Sequence, residues 1–405
     1  MTDGFVSRIA FNSCDTREHA ETNGPLSNLI VDTETLIWLD SCDVQTARAA
    51  VSLAKRSGAT IHVGQSTASH AVKSVMSNAG WFGTTLSEVA ARAQLIVTLG
   101  DGVLSESPLL AERFFRSRDE TSQARWLHIS SHEPRVSTSS ISNTLTAAPD
   151  GWLRWPREDW FEQLSRLACD IQPSASTQLS SQRTNSQEAD SLRVDSTRGK
   201  VGTEQELCCV DYFELVDQLK AADQVVWIWD IDDLHFGTDE LVVRRMLSIA
   251  NTLNEAGRCA LLPLDMNIGR VTAEETLLWL TGCPGTACWQ GDRWDRVSRY
   301  AGYSLEQWAD AFPKILLISN LASDRSLPNL PATVTLQAKP ALRSGEIQVA
   351  AVGIECSGHL FRGDRGTVHF CEATQSSARP SALQLLNSLA VTNRSAPKAE
   401  ASDAH

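Results

Sequence analysis

Short β-type runs alternate with amphipathic helical stretches along most of the sequence, and this alternation is the feature that most constrains the fold. Residues 43–55 and 69–78 repeat apolar side chains at helical spacing, and the β-type run Thr60–Val63 lies between them. Strands that alternate with helices in this way are joined by right-handed crossovers, which build parallel sheets with helices on both faces. The sequence therefore predicts an α/β fold with parallel sheets flanked by helices.

One long polar stretch interrupts this alternation. Residues 172–205 consist largely of Ser, Thr, Gln, Asn and Arg, a composition that buries too little apolar surface to offset the entropy of ordering the chain. Because a chain of 405 residues also exceeds what one hydrophobic core usually serves, we expect two domains. The predicted order is a polar N-terminal segment, a first α/β domain, a disordered linker, a second α/β domain and a disordered tail, over residues 1–26, 27–171, 172–205, 206–391 and 392–405.

The formal net charge of -13 excludes several classes of partner. So acidic a chain repels polyphosphate backbones and anionic membranes, so neither nucleic acid nor a membrane is expected as a partner. No apolar run approaches the ~18 residues needed to cross a bilayer. The polar residues 1–24 also lack the basic region and the apolar region of a secretory signal. We therefore expect a cytoplasmic protein.

The ten cysteines are scattered along the chain and form no CxxC pair. Zinc ribbons and iron–sulfur clusters need closely spaced thiolates around one centre, and the spaced pair Cys283 and Cys288 has no second pair to complete such a site. We expect reduced thiols that pack as small apolar side chains.

A glycine-containing turn follows the predicted strand over residues 95–99. Gly100, Asp101 and Gly102 stand where a parallel sheet presents backbone N–H groups at its carboxyl edge, which suits contact with a phosphate or a pterin-type cofactor. A tight turn between a strand and a helix uses the same residues. This second interpretation is favoured because neither GxGxxG nor the P-loop pattern GxxxxGK occurs, and a nicotinamide-dependent dehydrogenase is disfavoured for the same reason.

A carboxylate cluster follows the predicted strand over residues 225–229. Asp230, Asp232 and Asp233, with His235 close by, could hold Mg²⁺ or exchange protons. Carboxylates are also common caps and loop residues, and we favour that interpretation.

The histidines give no metalloenzyme pattern. His128 and His132 have i, i+4 spacing, but they fall at the end of a predicted strand and lack the HExxH pattern of zinc hydrolases. His62 lies within another predicted strand, so buried and hydrogen-bonded imidazoles are favoured over metal ligands. No GxSxG elbow indicates a serine hydrolase.

The most distinctive stretch of the chain is residues 264–284. It resembles a segment of the B-type polypeptide of formylmethanofuran dehydrogenase that ends in a Trp-x-Thr-Gly-aromatic-Pro motif. The matching residues are Trp279, Thr281, Gly282 and Pro284. Cys283 replaces the aromatic residue of that motif. Further segments resemble the same family in the same order, at residues 91–106, 128–137 and 358–370.

This resemblance implies a fold of the molybdopterin-oxidoreductase type, as in formate dehydrogenase and DMSO reductase. In that fold two α/β domains hold a pterin dinucleotide, and an N-terminal cysteine motif binds a 4Fe–4S cluster. The sequence departs from the family in these ligands, because its first forty residues contain only Cys14. Ala68 stands where the resemblance places the metal-ligating cysteine. Neither a metal site nor a redox cofactor is therefore expected.

A chain with these motifs and without these ligands resembles the B-type subunit of the bacterial formyltransferase/hydrolase complex. The resemblance implies a non-catalytic scaffold subunit, without a cofactor, in tetrahydromethanopterin-linked one-carbon metabolism, where companion subunits transfer a formyl group and hydrolyse it to formate. The expected partners are amidohydrolase-like, formyltransferase-like and C-type subunits. A remnant of the family's cofactor pocket would involve Gly100, Asp101, Thr281, Gly282 and Arg362.

Two other functions remain open at this point. The chain could be an active molybdenum or tungsten subunit whose ligands come from elsewhere, or an unrelated α/β binding protein or transferase. The density of tryptophan in the second half indicates either a large permanent interface or a core. The residues concerned are Trp279, Trp289, Trp294 and Trp308.

Overall fold

The computed structural model describes residues 29–64, 67–106, 124–133, 149–172, 209–234, 237–265, 267–297, 305–321, 333–340 and 345–389. The N-terminal segment 1–26, residues 173–205 of the expected linker, His235 and the tail 392–405 lie outside the described residues.

The described residues form strands that we number in chain order. They are β1 (Thr35–Ser41), β2 (Thr60–Val63), β3 (Leu95–Leu99), β4 (Arg125–Ser130), β5 (Gly151–Arg154), β6 (Gln224–Asp230), β7 (Arg258–Leu264), β8 (Thr286–Gln290), β9 (Arg293–Arg296), β10 (Lys314–Ser319), β11 (Thr333–Gln337), β12 (Glu346–Gln348), β13 (Gly358–Phe361) and β14 (Val368–Cys371).

The helices are numbered in the same way. They are α1 (Val44–Ser57), α2 (Thr67–Ala79), α3 (Leu86–Arg92), α4 (Gly102–Glu106), α5 (Trp160–Asp170), α6 (Tyr212–Ala221), α7 (Asp239–Leu253), α8 (Ile268–Thr281), α9 (Leu305–Ala311) and α10 (Ala382–Ser388). None of these helices is both long enough and apolar enough to cross a bilayer.

Local sequence explains the ends of these helices, as α1 illustrates. The Asp43 carboxylate accepts hydrogen bonds from the backbone N–H groups of Gln45 and Thr46, at 3.0 and 3.3 Å, and so caps the helix. The helix ends at Gly58, whose φ of 74° is the left-handed conformation that glycine adopts without strain. The predicted helix over 43–55 is therefore present with nearly the predicted bounds.

Two large sheets carry most of the strands. One has five strands in the order β5-β4-β3-β6-β7, and all its pairs are parallel. The other has seven strands in the order β12-β11-β10-β1-β2-β8-β9, with antiparallel pairing only at β8 and β9. A separate ribbon pairs β13 with β14.

Helices pack on both faces of each sheet. Around the five-stranded sheet, one core includes side chains of α2, α5, α6 and α7, and a smaller core on the other face includes Val89 of α3 and Val103 of α4. The seven-stranded sheet packs α1, α8 and α10 on one face and α9 on the other. The predicted α/β class with parallel sheets flanked by helices is confirmed.

The strand pairing connects the two sequence ranges that were expected as domains. Both sheets contain strands from before and after residues 172–205: β3 pairs with β6 in one sheet, and β1 pairs with β10 in the other. The sheets therefore do not correspond to residues 27–171 and 206–391. The physical reason is that a polar stretch shows only where the chain cannot pack, whereas a crossover can carry the next strand into either sheet.

Candidate functional site

The five-stranded sheet has a topological switch point between β3 and β6. From β3 the chain continues to β4 and β5 on one side, and later to β6 and β7 on the other. Crevices at such points, outside the carboxyl ends of the strands, are where open α/β sheets usually bind ligands. Gly100 follows β3 and Asp230 ends β6, so both sequence clusters singled out above lie at this crevice.

The crevice is occupied by the protein's own side chains. The Asp233 carboxylate accepts a hydrogen bond from the backbone N–H of Gly102 at 2.8 Å, and it pairs with Arg157 at 2.7 Å. A Cβ atom on Gly100 would lie 2.3 Å from Asp233 Oδ2, so glycine is required there for this close approach. Asp233 thus lies where an anionic ligand would contact the glycine turn. In this structure Gly100 and Gly102 form the turn between β3 and α4.

The three carboxylates at the end of β6 have different roles. Asp230 is buried, and this burial, with the nearby charges of Asp232 and Asp233, raises its pKa to about 7 although the backbone of Asp232 donates to it. Asp232 pairs with Arg270 at 3.1 Å, and Asp233 with Arg157. Among the described residues no group of three or more acidic, His or Cys side chains has the arrangement of a metal site.

Asp101 and His128 lie together at the end of β3 and β4. His128 is fully buried; its Nδ1 lies 2.9 Å from Thr98 Oγ1 and its Nε2 lies 3.7 Å from Asp101 Oδ1. The interaction with His128 outweighs partial burial and lowers the pKa of Asp101. His132 is exposed, so the structure does not bring the two spaced histidines into one site.

We call each large sheet, together with the helices that pack on it, a sheet unit. A second group of buried charges lies where the two sheet units meet. The Glu274 carboxylate of α8 is buried and lies 2.6 Å from Lys73 Nζ of α2 and 3.2 Å from Arg365 of the turn between β13 and β14. Ser69 donates a hydrogen bond to the same carboxylate at 3.0 Å. Burial alone would raise the pKa of Glu274, but Lys73 and Arg365 outweigh it and lower the pKa to about 2.

The charge group continues toward the end of β7. Arg270 bonds the buried carboxylate of Asp265 at 2.9 Å and also reaches Asp232, while Arg365 bonds Glu275 at 2.5 Å. Acidic and basic groups therefore alternate from the carboxyl edge of the five-stranded sheet to α2 and α8. We call Lys73, Asp232, Asp265, Arg270, Glu274, Glu275 and Arg365 the interface charge network.

The surroundings of Ala68 do not fit a thiolate-bound metal. Ala68 is fully buried in the first turn of α2 and belongs to the same apolar cluster as Val72 and Val75. The adjacent Ser69 donates a hydrogen bond to the Glu274 carboxylate, so the polar groups next to Ala68 are a hydroxyl and a carboxylate. Cys42 is buried at the end of β1, where burial raises the pKa of its thiol well above the usual value.

The residues expected to form a remnant pocket are spread over three places. Gly100 and Asp101 lie at the crevice described above. Thr281 and Gly282 lie at the C-terminal end of α8, about 20 Å from the first turn of that helix at 1.5 Å per residue. There Thr281 Oγ1 accepts from the Cys283 N–H at 3.0 Å, and Gly282 has a φ of 70°. These two residues thus cap a helix.

Arg362, the remaining residue of the expected pocket, lies in the turn between β13 and β14. It pairs with Asp364, whose carboxylate also accepts a hydrogen bond from the backbone N–H of Leu86 at 3.0 Å. This contact attaches the ribbon to the start of α3. The role of Arg362 in the fold is therefore to position the turn.

The histidine and tryptophan candidates also separate. His62 lies between Trp38 and Trp308, with ring centroids 4.7 and 4.5 Å away, and burial lowers its pKa to about 3. Trp308 is a core residue, and Trp289 packs edge-on against Trp294 in the β8–β9 hairpin. Trp279, by contrast, is exposed on α8.

Sequence reasoning missed the interface charge network. A signal was present, because Arg270 and Glu274 are four residues apart and so lie on one face of the helix. Lys73 has the same relation to Ser69 on α2. Nothing local showed that these two helix faces meet.

Comparisons with known proteins bear on the fold. No protein-family model matches the chain, and a search of curated proteins finds no match. Among solved structures, the chain is similar to a chain of the formyltransferase/hydrolase complex (FhcABCD) from Methylorubrum extorquens, determined in complex with methylofuran. The two are 19% identical with a TM-score of 0.63, over 87% of this chain and 89% of that one. The likeness extends through nearly the whole of both chains, and at this identity it shows that they share a fold.

Proposed function

We propose that the protein is the B-type subunit of a formyltransferase/hydrolase complex, where it is a scaffold without a catalytic site of its own. Companion subunits, amidohydrolase-like, formyltransferase-like and C-type, would transfer a formyl group from its carrier and release it as formate. Two findings support this proposal: the motifs at residues 91–106, 264–284 and 358–370, and the fold shared with a chain of the complex from Methylorubrum extorquens.

The observation that carries the scaffold role is the interface charge network. The resemblance implies that a redox subunit of that family carries a metal-ligating cysteine at the position of Ala68. In this chain Ala68 lies in apolar surroundings, and the ion pairs of Glu274 with Lys73 and Arg365 lie nearby. Buried ion pairs with additional hydrogen bonds join secondary-structure elements in fixed positions. We infer a molybdopterin-oxidoreductase type of arrangement in which side chains have replaced the cofactor.

The chain's own residues would then act by holding surfaces in place. Arg365 connects the β13–β14 turn to α8, and Arg270 connects α8 to the carboxyl edge of the five-stranded sheet. We also propose a cytoplasmic location, as expected from the sequence.

Purification of the tagged chain from its own host tests the proposal. We expect formyltransferase-like and amidohydrolase-like subunits to co-purify, as identified by mass spectrometry, and we expect no stoichiometric iron, molybdenum or tungsten by elemental analysis. One metal atom per chain would contradict the scaffold role and favour an active redox subunit. Co-purification with none of these subunits would contradict the assignment to the complex.

Activity measurements give a second test. The chain expressed alone should neither transfer nor hydrolyse a formyl group, and the complex reconstituted with its companions should do both. Formyl hydrolysis by the chain alone, surviving removal of contaminating subunits, would contradict the proposal.

A further inference from the structure

An exposed apolar surface joins α8 to the β13–β14 ribbon. Trp279 is 68% exposed, and its ring lies edge-on against Phe361 with the centroids 4.9 Å apart. Phe361 pairs with Val368 across the ribbon, and His359 pairs with Phe370, so these four side chains share one face. We call Trp279, His359, Phe361, Val368 and Phe370 the aromatic face.

Two aromatic side chains of this face are largely exposed to water. Phe370 is 60% exposed, and at about 200 Å² for an aromatic side chain it and Trp279 together expose roughly 250 Å². Contiguous exposed apolar patches of a few hundred Å² are often functional. A standard interface buries about 800 Å² on each partner, so this patch has the size of an interface centre.

None of the five residues of the aromatic face is Asp, Glu, Lys or Arg. The basic residues of the adjacent turn, Arg362 and Arg365, are paired inside the protein with Asp364 and with Glu274 and Glu275. The ribbon also contains only two strands, so no other described strand pairs with the outer edge of β14. A partner therefore meets aromatic side chains and an open strand edge, with the exposed carboxylate of Glu372 two residues after Phe370.

The net charge of the whole chain favours a different protein over a second copy as the partner at this surface. Each copy has a formal net charge of -13, so two copies repel one another and a dimer through this face is disfavoured. A different and less acidic protein chain meets no such repulsion. The chain of similar fold is itself part of a multi-subunit complex.

From these observations we infer that the aromatic face is the docking surface for a companion subunit, a different protein chain that places apolar side chains over Trp279 and Phe370. This inference rests on the proposed function, which supplies the partner. Beyond that function, the inference names the surface of this chain that the companion subunit covers.

The test uses matched variants of the full chain. Phe213 of α6 is 67% exposed and lies on the five-stranded sheet unit, so Phe213→Ser removes an equally exposed ring elsewhere. Binding to the co-purified companion subunits is measured for the wild type, Phe370→Ser, Trp279→Ser with Phe370→Ser, and Phe213→Ser. Thermal unfolding of each isolated variant checks that it is folded, and Phe370→Ser alone serves if the double variant is not.

We expect the double variant to weaken binding by about 100-fold and Phe370→Ser by about 10-fold, since exposed aromatic anchors become central contacts of an interface. Phe213→Ser should remain within about twofold of the wild type. Equal binding by all variants would overturn the docking surface and leave the proposed function intact. A homodimer of the wild type that Phe370→Ser dissociates would overturn the choice of partner. Absence of companion subunits from the native preparation would instead overturn the proposed function and this inference with it.

Discussion

Lys73 Nζ lies 2.6 Å from Glu274 Oε2, and this ion pair joins the two sheet units. Lys73 belongs to α2, which packs in the core of the five-stranded sheet, and Glu274 belongs to α8, which packs on the seven-stranded sheet. Both side chains are removed from water, so their ionised forms are stabilised by the ion pair between them, and that of Glu274 also by Arg365.

Neutralising Glu274 should destabilise the protein strongly. Glu274→Gln leaves Lys73 and Arg365 buried without their shared counter-charge, which costs about 3–5 kcal/mol of unfolding free energy. Lys73→Met should cost less, because Arg365 still compensates Glu274. Urea unfolding measures both, with the exposed pair of Glu240 and Arg244 as a control that should contribute at most about 0.5 kcal/mol. Equal, small effects of Glu274→Gln and Glu240→Gln would contradict this role of the network.

Asp230 predicts an unusual dependence of stability on pH. Its pKa is about 7 in the folded protein and 3.8 for an unperturbed aspartate, so the folded state binds the proton more tightly. Stability should therefore be highest below pH 4 on account of this group and should fall as the pH rises from about 4 to 7. Asp230→Asn keeps an acceptor for the Asp232 N–H and cannot ionise.

At pH 8 we expect Asp230→Asn to be more stable than the wild type, by at most about 4 kcal/mol at 1.36 kcal/mol per pKa unit. The difference should vanish near pH 4. Urea unfolding between pH 4 and 8 measures it, with Asp217→Asn as the control at an exposed carboxylate on α6. A variant that follows the wild type across this range would contradict the raised pKa.

Local patterns predicted many of the helices and strands and the class of the fold. The helix over 43–55 and the strands at β2 and β3 follow from apolar periodicity, caps and glycine, which act between neighbours in the chain. The pairing of β3 with β6 has no local signal, so the division of the strands between the sheets was not predictable. The same applies to Lys73 and Glu274, which meet only through that topology.

The candidate site shows the same division. Gly100 and Asp230 were found from their positions after strands, because the carboxyl edge of a parallel sheet is a general site of function. Arg157, which follows β5 and pairs with Asp233 at this edge, was not predicted. Thr281 and Gly282 were predicted only from the resemblance of their motif. A motif does not show which end of a helix lies near the crevice, and these residues lie at the opposite end of α8 from Arg270, which reaches Asp232.

Gly269 should not tolerate alanine, although it lies in a helix. A Cβ atom there would lie 1.9 Å from Ser41 Oγ, where α8 begins against the end of β1. In an open helix the change to alanine would stabilise by about 1 kcal/mol, whereas this overlap should make it destabilising by on the order of 2–3 kcal/mol. Urea unfolding measures the sign. Ser41→Gly in the same chain should recover part of the loss, and a stabilising Gly269→Ala would contradict the close contact.

The final prediction concerns cleavage between the expected domains. The polar composition of residues 172–205 predicts that trypsin cuts there first, and this stretch supplies Arg183, Arg193, Arg198 and Lys200 as sites. The two fragments should then remain together, because β3 of the first fragment pairs with β6 of the second and β1 pairs with β10.

Gel filtration of the cleaved protein should show one species of unchanged size, which separates into two only in denaturant. Consecutive and independent domains would be held together by far fewer contacts than two shared sheets provide. Separation without denaturant would therefore contradict the strand order. Cleavage after Lys220 of α6 or after Arg258, the first residue of β7, before any cut within 172–205 would contradict the composition-based prediction, since it would show that these ordered elements open before the polar stretch is cut.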